Sequence, residues 1–119
     1  MQDRRRFDVA LSGDVTILRL KDPHLSELLE ITELHDEMLD YIEQQSPRNV
    51  LVDFATVTHC STAVINALLR AKKRLLQCGG RFMLCSMHDK VREAYRVLNL
   101  DGTVFEIYDS LPEALDAFA

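Results

Sequence analysis

The sequence has no tryptophan, only three cysteines and few of the residues that interrupt regular structure. Four glycines and three prolines in 119 residues exclude a collagen-like or low-complexity chain. Three cysteines are an odd number in a domain large enough to fold without cross-links, so a disulfide framework is not expected. With 47% hydrophobic and 28% charged residues, the chain has the composition of one folded globular domain.

Two further absences bear on where the chain acts and what it binds. No apolar run approaches the ~20 residues that span a bilayer, and no signal-peptide segment follows the arginines near the start. Acidic residues outnumber basic ones by 19 to 14, a formal charge of −5 that disfavours binding along a phosphate backbone. We therefore expect a cytoplasmic protein that neither inserts into membranes nor binds nucleic acid.

The hydrophobic pattern predicts alternating strands and helices. Residues 7–11 and 15–20 flank a Ser-Gly-Asp turn and are typical of a β-hairpin. The later elements, in order, are helix 26–45, strand 49–54, helix 61–78, strand 81–85, helix 89–98, strand 103–108 and a helix that begins after Ser110. This order predicts a small single α/β domain over 7–119, preceded by a flexible N-terminus over 1–6. We expect a mixed five-stranded β-sheet with an N-terminal antiparallel hairpin, parallel remaining strands and four α-helices.

Helix ends and helix faces can also be predicted. Ser26 is expected to be the N-cap of the first helix, Asn99 to end the third in a left-handed conformation, and Ser110 with Glu113 to form a capping box. The apolar face of the first helix is expected to contain Leu28, Ile31, Leu34, Met38, Tyr41 and Ile42. Its opposite face is acidic, whereas the second helix carries the basic cluster Arg70, Lys72, Lys73 and Arg74.

The loop after strand 49–54 contains hydroxyl, thiol and imidazole groups just before a helix. Ligands and partners of α/β domains tend to meet the carboxyl ends of parallel strands, so this loop is the first candidate site. Ser61 can be interpreted as an ordinary N-cap of the second helix. Equally, a hydroxyl at the positive end of a helix dipole would tolerate a phosphoryl group.

The same residues give less support to an enzyme or a metal site. His59, Cys60 and Ser61 are consecutive, so their side chains would rarely converge on one reacting atom, and no Gly-x-Ser-x-Gly elbow is present. The spacing of Cys78, Cys85 and His88 matches no zinc motif. We expect no catalysis, metal or cofactor, and keep an enzyme that uses Ser61 or Cys60 as an alternative.

Three segments invite comparison with known families. They are His59-Cys60-Ser61-Thr62-Ala63-Val64, Gly79-Gly80-Arg81-Phe82-Met83-Leu84 and Tyr108-Asp109-Ser110-Leu111-Pro112-Glu113-Ala114-Leu115. Together with the order of elements, they resemble the STAS domain, the family of bacterial anti-sigma factor antagonists. The resemblance covers nearly the whole chain. It implies a signalling module that binds an anti-sigma factor of the serine-kinase type and thereby releases a sigma factor.

The resemblance also implies a modification site. In phosphorylated members, the loop before the second helix carries Asp, Ser, Ser or Thr, and Gly, and the Ser after the Asp accepts phosphate from the partner kinase. By position, Ser61 is the phospho-acceptor and Thr62 the second candidate, while Cys60 replaces the Asp and Ala63 the Gly. Phosphorylation is implied to weaken the complex, and a cognate phosphatase is a further implied partner.

The implied partner-binding residues lie in this loop, before the first helix and along the second helix. They are Asp22, His24, His59, Cys60, Ser61, Thr62, Asn66 and Arg70. Because both residues flanking the hydroxyl pair differ from the family, an alternative function stays open. It is an unphosphorylated STAS scaffold, a subunit of a larger signalling or lipid-transport assembly.

Overall fold

A computed structural model describes residues 6–119, which fold into seven strands and four helices. In chain order they are β1 (Phe7–Ser12), β2 (Val15–Leu20), β3 (His24–Leu25), α1 (Leu28–Gln45), β4 (Asn49–Asp53), β5 (His59–Cys60), α2 (Ala63–Gln77), β6 (Arg81–Cys85), α3 (Asp89–Val97), β7 (Glu106–Tyr108) and α4 (Leu111–Phe118). The main sheet has the order β1-β2-β4-β6-β7. Only its β1–β2 pair is antiparallel, and the other pairs are parallel. The predicted fold class is confirmed for these residues.

The centre of the sheet is covered on both faces, as the unbroken apolar run of β4 predicts. Every residue of β4 is buried. On one face, Val50 belongs to a core cluster with Leu34 of α1 and Leu68 of α2. On the other, Leu51 packs in a second cluster with Ala114 of α4. Two layers of helices therefore hold the strands whose carboxyl ends carry the candidate site.

A second, two-stranded sheet is not predicted by the sequence. β3 pairs with β5 in parallel, with His24 opposite His59 and Leu25 opposite Cys60. Two residues are too few for an alternating pattern, so nothing in the periodicity marks either strand. The pairing brings the chain after β2 against the loop after β4.

Helix ends agree with the prediction where a side-chain cap forms. The Oγ of Ser110 accepts a hydrogen bond from the Glu113 amide at 3.3 Å, so Ser110 caps α4 as predicted, while the Glu113 carboxylate contacts the Ser110 hydroxyl at 3.4 Å. Asn99 has a φ of 58°, so its predicted left-handed conformation is confirmed. The prediction that Ser26 is the N-cap of the first helix is wrong. The N-cap of α1 is Glu27, because β3 and the extended residues after it delay the first helical turn.

Two other sequence expectations are corrected. Leu28 does not face the core: its side chain is 77% exposed, although Leu34 and Met38 on the same predicted face are fully buried. The last strand begins at Glu106 rather than at 103. The residues before it form a turn instead, in which the amides of Val104 and Phe105 both donate to the Leu100 carbonyl.

Arg6 is the one residue of the predicted flexible N-terminus that the structure describes, since 1–5 lie outside the described residues. Its guanidinium lies 2.9 Å from Asp22, 3.1 Å from Glu33 and 3.7 Å from Glu30. Its amide donates to the Glu37 carboxylate at 3.0 Å. Arg6 therefore joins the start of the sheet to α1 and belongs to the folded domain.

Candidate functional site

The loop after β4 is anchored at the carboxyl edge of the sheet. The Phe54 amide donates to the Cys85 carbonyl at 3.0 Å, so the loop begins bonded to the end of β6. The buried carboxylate of Asp53 accepts a hydrogen bond from the Ala55 amide at 2.9 Å, which fixes the first turn. The loop therefore leaves the sheet in one defined direction.

β3 supports the other end of the loop. The amides of Thr58 and His59 both donate to the Pro23 carbonyl, at 2.8 and 3.0 Å, and the Ser61 amide donates to the Leu25 carbonyl at 2.8 Å. These bonds are made by the backbone and therefore do not depend on the side chains at 58, 59 and 61. They place Ser61 directly before α2.

Ser61 is half-buried at the start of α2, and its hydroxyl is engaged from one side only. Its Oγ accepts a hydrogen bond from the Ala63 amide at 3.2 Å, and its carbonyl accepts one from the Val64 amide at 3.1 Å. The helix bounds make Thr62 the N-cap, but the backbone of Thr62 is already helical and its side chain makes no cap hydrogen bond. The capping side chain is that of Ser61, as the sequence indicates, and it satisfies one of the free amides of the first turn.

Two imidazoles stack beside this loop. The rings of His24 and His59 are 4.3 Å apart at their centroids and only 5° from parallel. Both residues are exposed, and the Nδ1 of His59 lies 3.1 Å from the Oγ1 of Thr58. The contact follows from the register of β3 and β5, so the sequence, which does not mark these strands, could not predict it. The pair gives the site an exposed aromatic surface with polar ring nitrogens.

Cys60 contributes no charge to the site near neutral pH. Its side chain is half-buried, and burial raises the pKa of the thiol to about 12. Its Sγ donates to the Ser61 carbonyl at 3.6 Å. A thiol with this pKa is a poor nucleophile, because the thiolate is the reactive form. The geometry therefore gives no support to an enzyme that uses Cys60.

The three cysteines are expected to differ strongly in reactivity. Cys78 is exposed, whereas burial raises the pKa of Cys60 to about 12 and that of Cys85 to about 11. With a disulfide reagent at pH 8, we expect one fast thiol, and the other two at least ~100-fold slower. Absorbance of the released thiolate measures the rates, and the Cys78→Ser protein should lack the fast phase. A fast reaction assigned to Cys60 by peptide mapping would contradict this expectation.

The structure brings most of the predicted site residues together. His24, His59, Cys60, Ser61 and Thr62 meet where β3 and β5 pair before α2. Asn66 and Arg70 are exposed on the next turns of α2 and line a groove against α1. Asp22 differs, because its carboxylate accepts a hydrogen bond from Arg6.

Sequence reasoning missed Lys90 and Val91, which lie in the first turn of α3. They line a pocket of about 320 Å³ together with Ser26 and the loop residues Thr58, His59, Cys60 and Ser61. α3 follows β6, the strand beside β4, and the carboxyl ends of neighbouring parallel strands share one edge. That rule, applied to β6 as well as β4, is the signal that could have found them.

Within residues 6–119, no group of three or more His, Cys, Asp or Glu side chains is placed to hold a metal ion. His88, considered above with the cysteines, has a structural contact instead: its Nε2 donates to the Ala55 carbonyl at 2.8 Å. None of the helices in this part of the chain is long and apolar enough to cross a membrane.

A profile of the STAS domain matches residues 6–114, almost the whole of the described fold. The chain belongs to the STAS domain family. A STAS protein from Planctomyces limnophilus, described as an anti-sigma-factor antagonist, is similar in structure with a TM-score of 0.82 and 28% identity. The match covers 93% of this chain and 96% of that one.

Two other STAS structures show the same fold at lower identity. The Bacillus cell fate determinant SpoIIAA in its phosphorylated form has a TM-score of 0.66 and 15% identity, covering 95% of this chain and 99% of that one. A variant of RsbS from Moorella thermoacetica has a TM-score of 0.74 and 16% identity, covering 95% and 94%. The fold of this STAS domain is thus the one found in anti-sigma factor antagonists.

Proposed function

We propose that this STAS domain is a non-enzymatic module that binds an anti-sigma factor of the serine-kinase type in the cytoplasm and so releases a sigma factor. The observation that carries the proposal is the placement of Ser61. Ser61 is half-exposed at the beginning of α2, and its backbone is held by β3. A kinase can therefore approach the hydroxyl without unfolding any element of the sheet.

Phosphorylation of Ser61 would switch the interface by charge. In the proposed step, Ser61 Oγ bonds to the γ-phosphorus of ATP, the bond to ADP breaks, and the hydroxyl proton passes to a base of the kinase. The product carries about −1.5 to −2 charges near pH 7. The N-terminus of α2 stabilises that charge within the domain, whereas an acidic or apolar partner surface would be repelled. A cognate phosphatase would reverse the change.

The proposed partner surface surrounds this hydroxyl. His24, His59 and Thr62 are exposed beside Ser61, and Asn66 and Arg70 extend the surface along α2. Arg70 is a cation with no hydrogen-bond or ion-pair partner among the described residues, so a partner carboxylate could pair with it. Asp22 would have to contact the partner while still bonded to Arg6.

Phosphate transfer tests the proposal directly. The protein is incubated with ATP and a serine-kinase-type anti-sigma factor from the same genome, and peptides are analysed by mass spectrometry. We expect one phosphate on Ser61, retained in the Thr62→Ala protein and lost in the Ser61→Ala protein. Absence of phosphate from both Ser61 and Thr62 would contradict the switch.

A second candidate function is favoured by Cys60. Phosphorylated relatives are expected to carry an aspartate there, whereas this thiol has a pKa of about 12 and is uncharged. An unphosphorylated STAS scaffold in a signalling or lipid-transport assembly needs no such carboxylate. Equal recovery of a multi-subunit complex with wild-type and Ser61→Asp proteins would support the scaffold over the switch.

A further inference from the structure

Lys90 and Ser61 line the same pocket. The pocket, of about 320 Å³, lies between the loop that ends at Ser61 and the first turn of α3. Lys90 is exposed, and among the described residues it has no hydrogen-bond or ion-pair partner. A lysine with no carboxylate partner among the described residues therefore lines the same pocket as the proposed phosphorylation site.

The backbone that carries Lys90 is fixed on both sides. Just before it, His88 donates to the Ala55 carbonyl at 2.8 Å, which ties the start of α3 to the loop after β4. Just after it, Arg92 lies 2.8 Å from the Asp101 carboxylate and donates to the Ile107 carbonyl at 3.0 Å. Only the flexible side chain of Lys90 would have to move to meet a new group in the pocket.

We propose that Lys90 binds the phosphate of phosphorylated Ser61 and holds the modified loop against the first turn of α3. Lysine binds phosphate as a point charge, and a charge-assisted hydrogen bond to it is stronger than a neutral one. The inference rests on the proposed function for the existence of the phosphate. It adds that the phosphate is held within the domain rather than left free in solvent.

The charged groups that line the pocket determine how far the pKa of the phosphate shifts. His59 lines the pocket beside the phosphate, and Asp89 is an exposed acid next to Lys90 on the first turn of α3. Asp89 does not line the pocket, so among the lining residues Lys90 is the one whose ammonium charge would favour the phosphate. The second pKa of the phosphate therefore reports directly on the contact.

The experiment uses phosphoserine inserted at position 61 during translation, so that no kinase is needed. The phosphate is titrated by ³¹P NMR in three full-length proteins: otherwise wild type, Lys90→Gln and Lys73→Gln. The Lys90→Gln substitution is expected to raise the second pKa of the phosphate by about half a unit. Lys73→Gln makes the same charge change about 15 Å along α2 from Ala63, beyond the screening length, and should leave the pKa unchanged.

Each outcome decides one question. Equal pKa values in the wild-type background and in Lys90→Gln would overturn the contact, whatever the kinase does. An equal rise of the phosphate pKa in the Lys73→Gln protein would show that the rise comes from the change in net charge. That result would also overturn the contact with Lys90. If instead the anti-sigma factor transfers no phosphate to Ser61, the proposed switch fails while the titration result stands. Equal urea midpoints of the unphosphorylated proteins would show that Lys90→Gln has not disturbed the fold.

Discussion

Replacing Ser61 with aspartate is expected to lower the affinity of this STAS domain for its kinase-type anti-sigma factor at least ~10-fold. The substitution places a fixed negative charge at the start of α2, where the half-buried hydroxyl would face the partner. A partner surface that fits the neutral hydroxyl offers no cation to the new carboxylate. Forming the complex would therefore remove water from an unpaired charge, and in a tight contact this costs several kcal/mol of binding free energy. Isothermal titration calorimetry of the two purified proteins measures the difference.

Asparagine at the same position is the matched control. Ser61→Asn has the size and shape of the aspartate without its charge, so we expect it to bind close to wild type. The difference between the aspartate and asparagine proteins should shrink as salt is raised, because screening weakens repulsion between exposed charges. If both variants bind like wild type, the charge is irrelevant and the scaffold function is favoured.

The parts of the fold that could be predicted are those where one pattern governs many residues. The continuous apolar run of β4 indicates a strand covered on both faces, and the 3.6-residue period of α2 places Val64, Leu68 and Leu75 in the core, where all three are fully buried. The N-cap of α4 can also be predicted from local sequence, because Ser110 caps that helix through its own side chain. None of these features needs information from a distant part of the chain.

The parts that could not be predicted depend on contacts between distant segments. β3 and β5 have two residues each, and they pair although they lie far apart in the sequence. The stacking of His24 on His59 follows from that pairing. The sequence therefore located Ser61 and most of its neighbours, but it could not give the strand pairing and the ring stacking that hold them together.

Leu25 carries the second large expected effect. It is 1% exposed in β3, within the main core cluster, and its carbonyl accepts the Ser61 amide. Leu25→Ala removes buried methyl groups and leaves a cavity, so the free energy of unfolding should fall by about 2–5 kcal/mol. Urea denaturation followed by circular dichroism measures it. Hydrogen exchange of the Ser61 amide should also accelerate, because β3 is the element that bonds it.

Leu28→Ala is the matched comparison three residues later. Its side chain is 77% exposed, so the same substitution should change stability by less than about 0.5 kcal/mol and leave exchange at Ser61 unaltered. The periodicity of the first helix, taken alone, predicts a buried Leu28. A loss at Leu28→Ala as large as that at Leu25→Ala would therefore support the sequence pattern against the structure. A larger loss of stability in Leu25→Ala than in Leu28→Ala would instead show that the placement of Ser61 depends on one buried side chain in a two-residue strand.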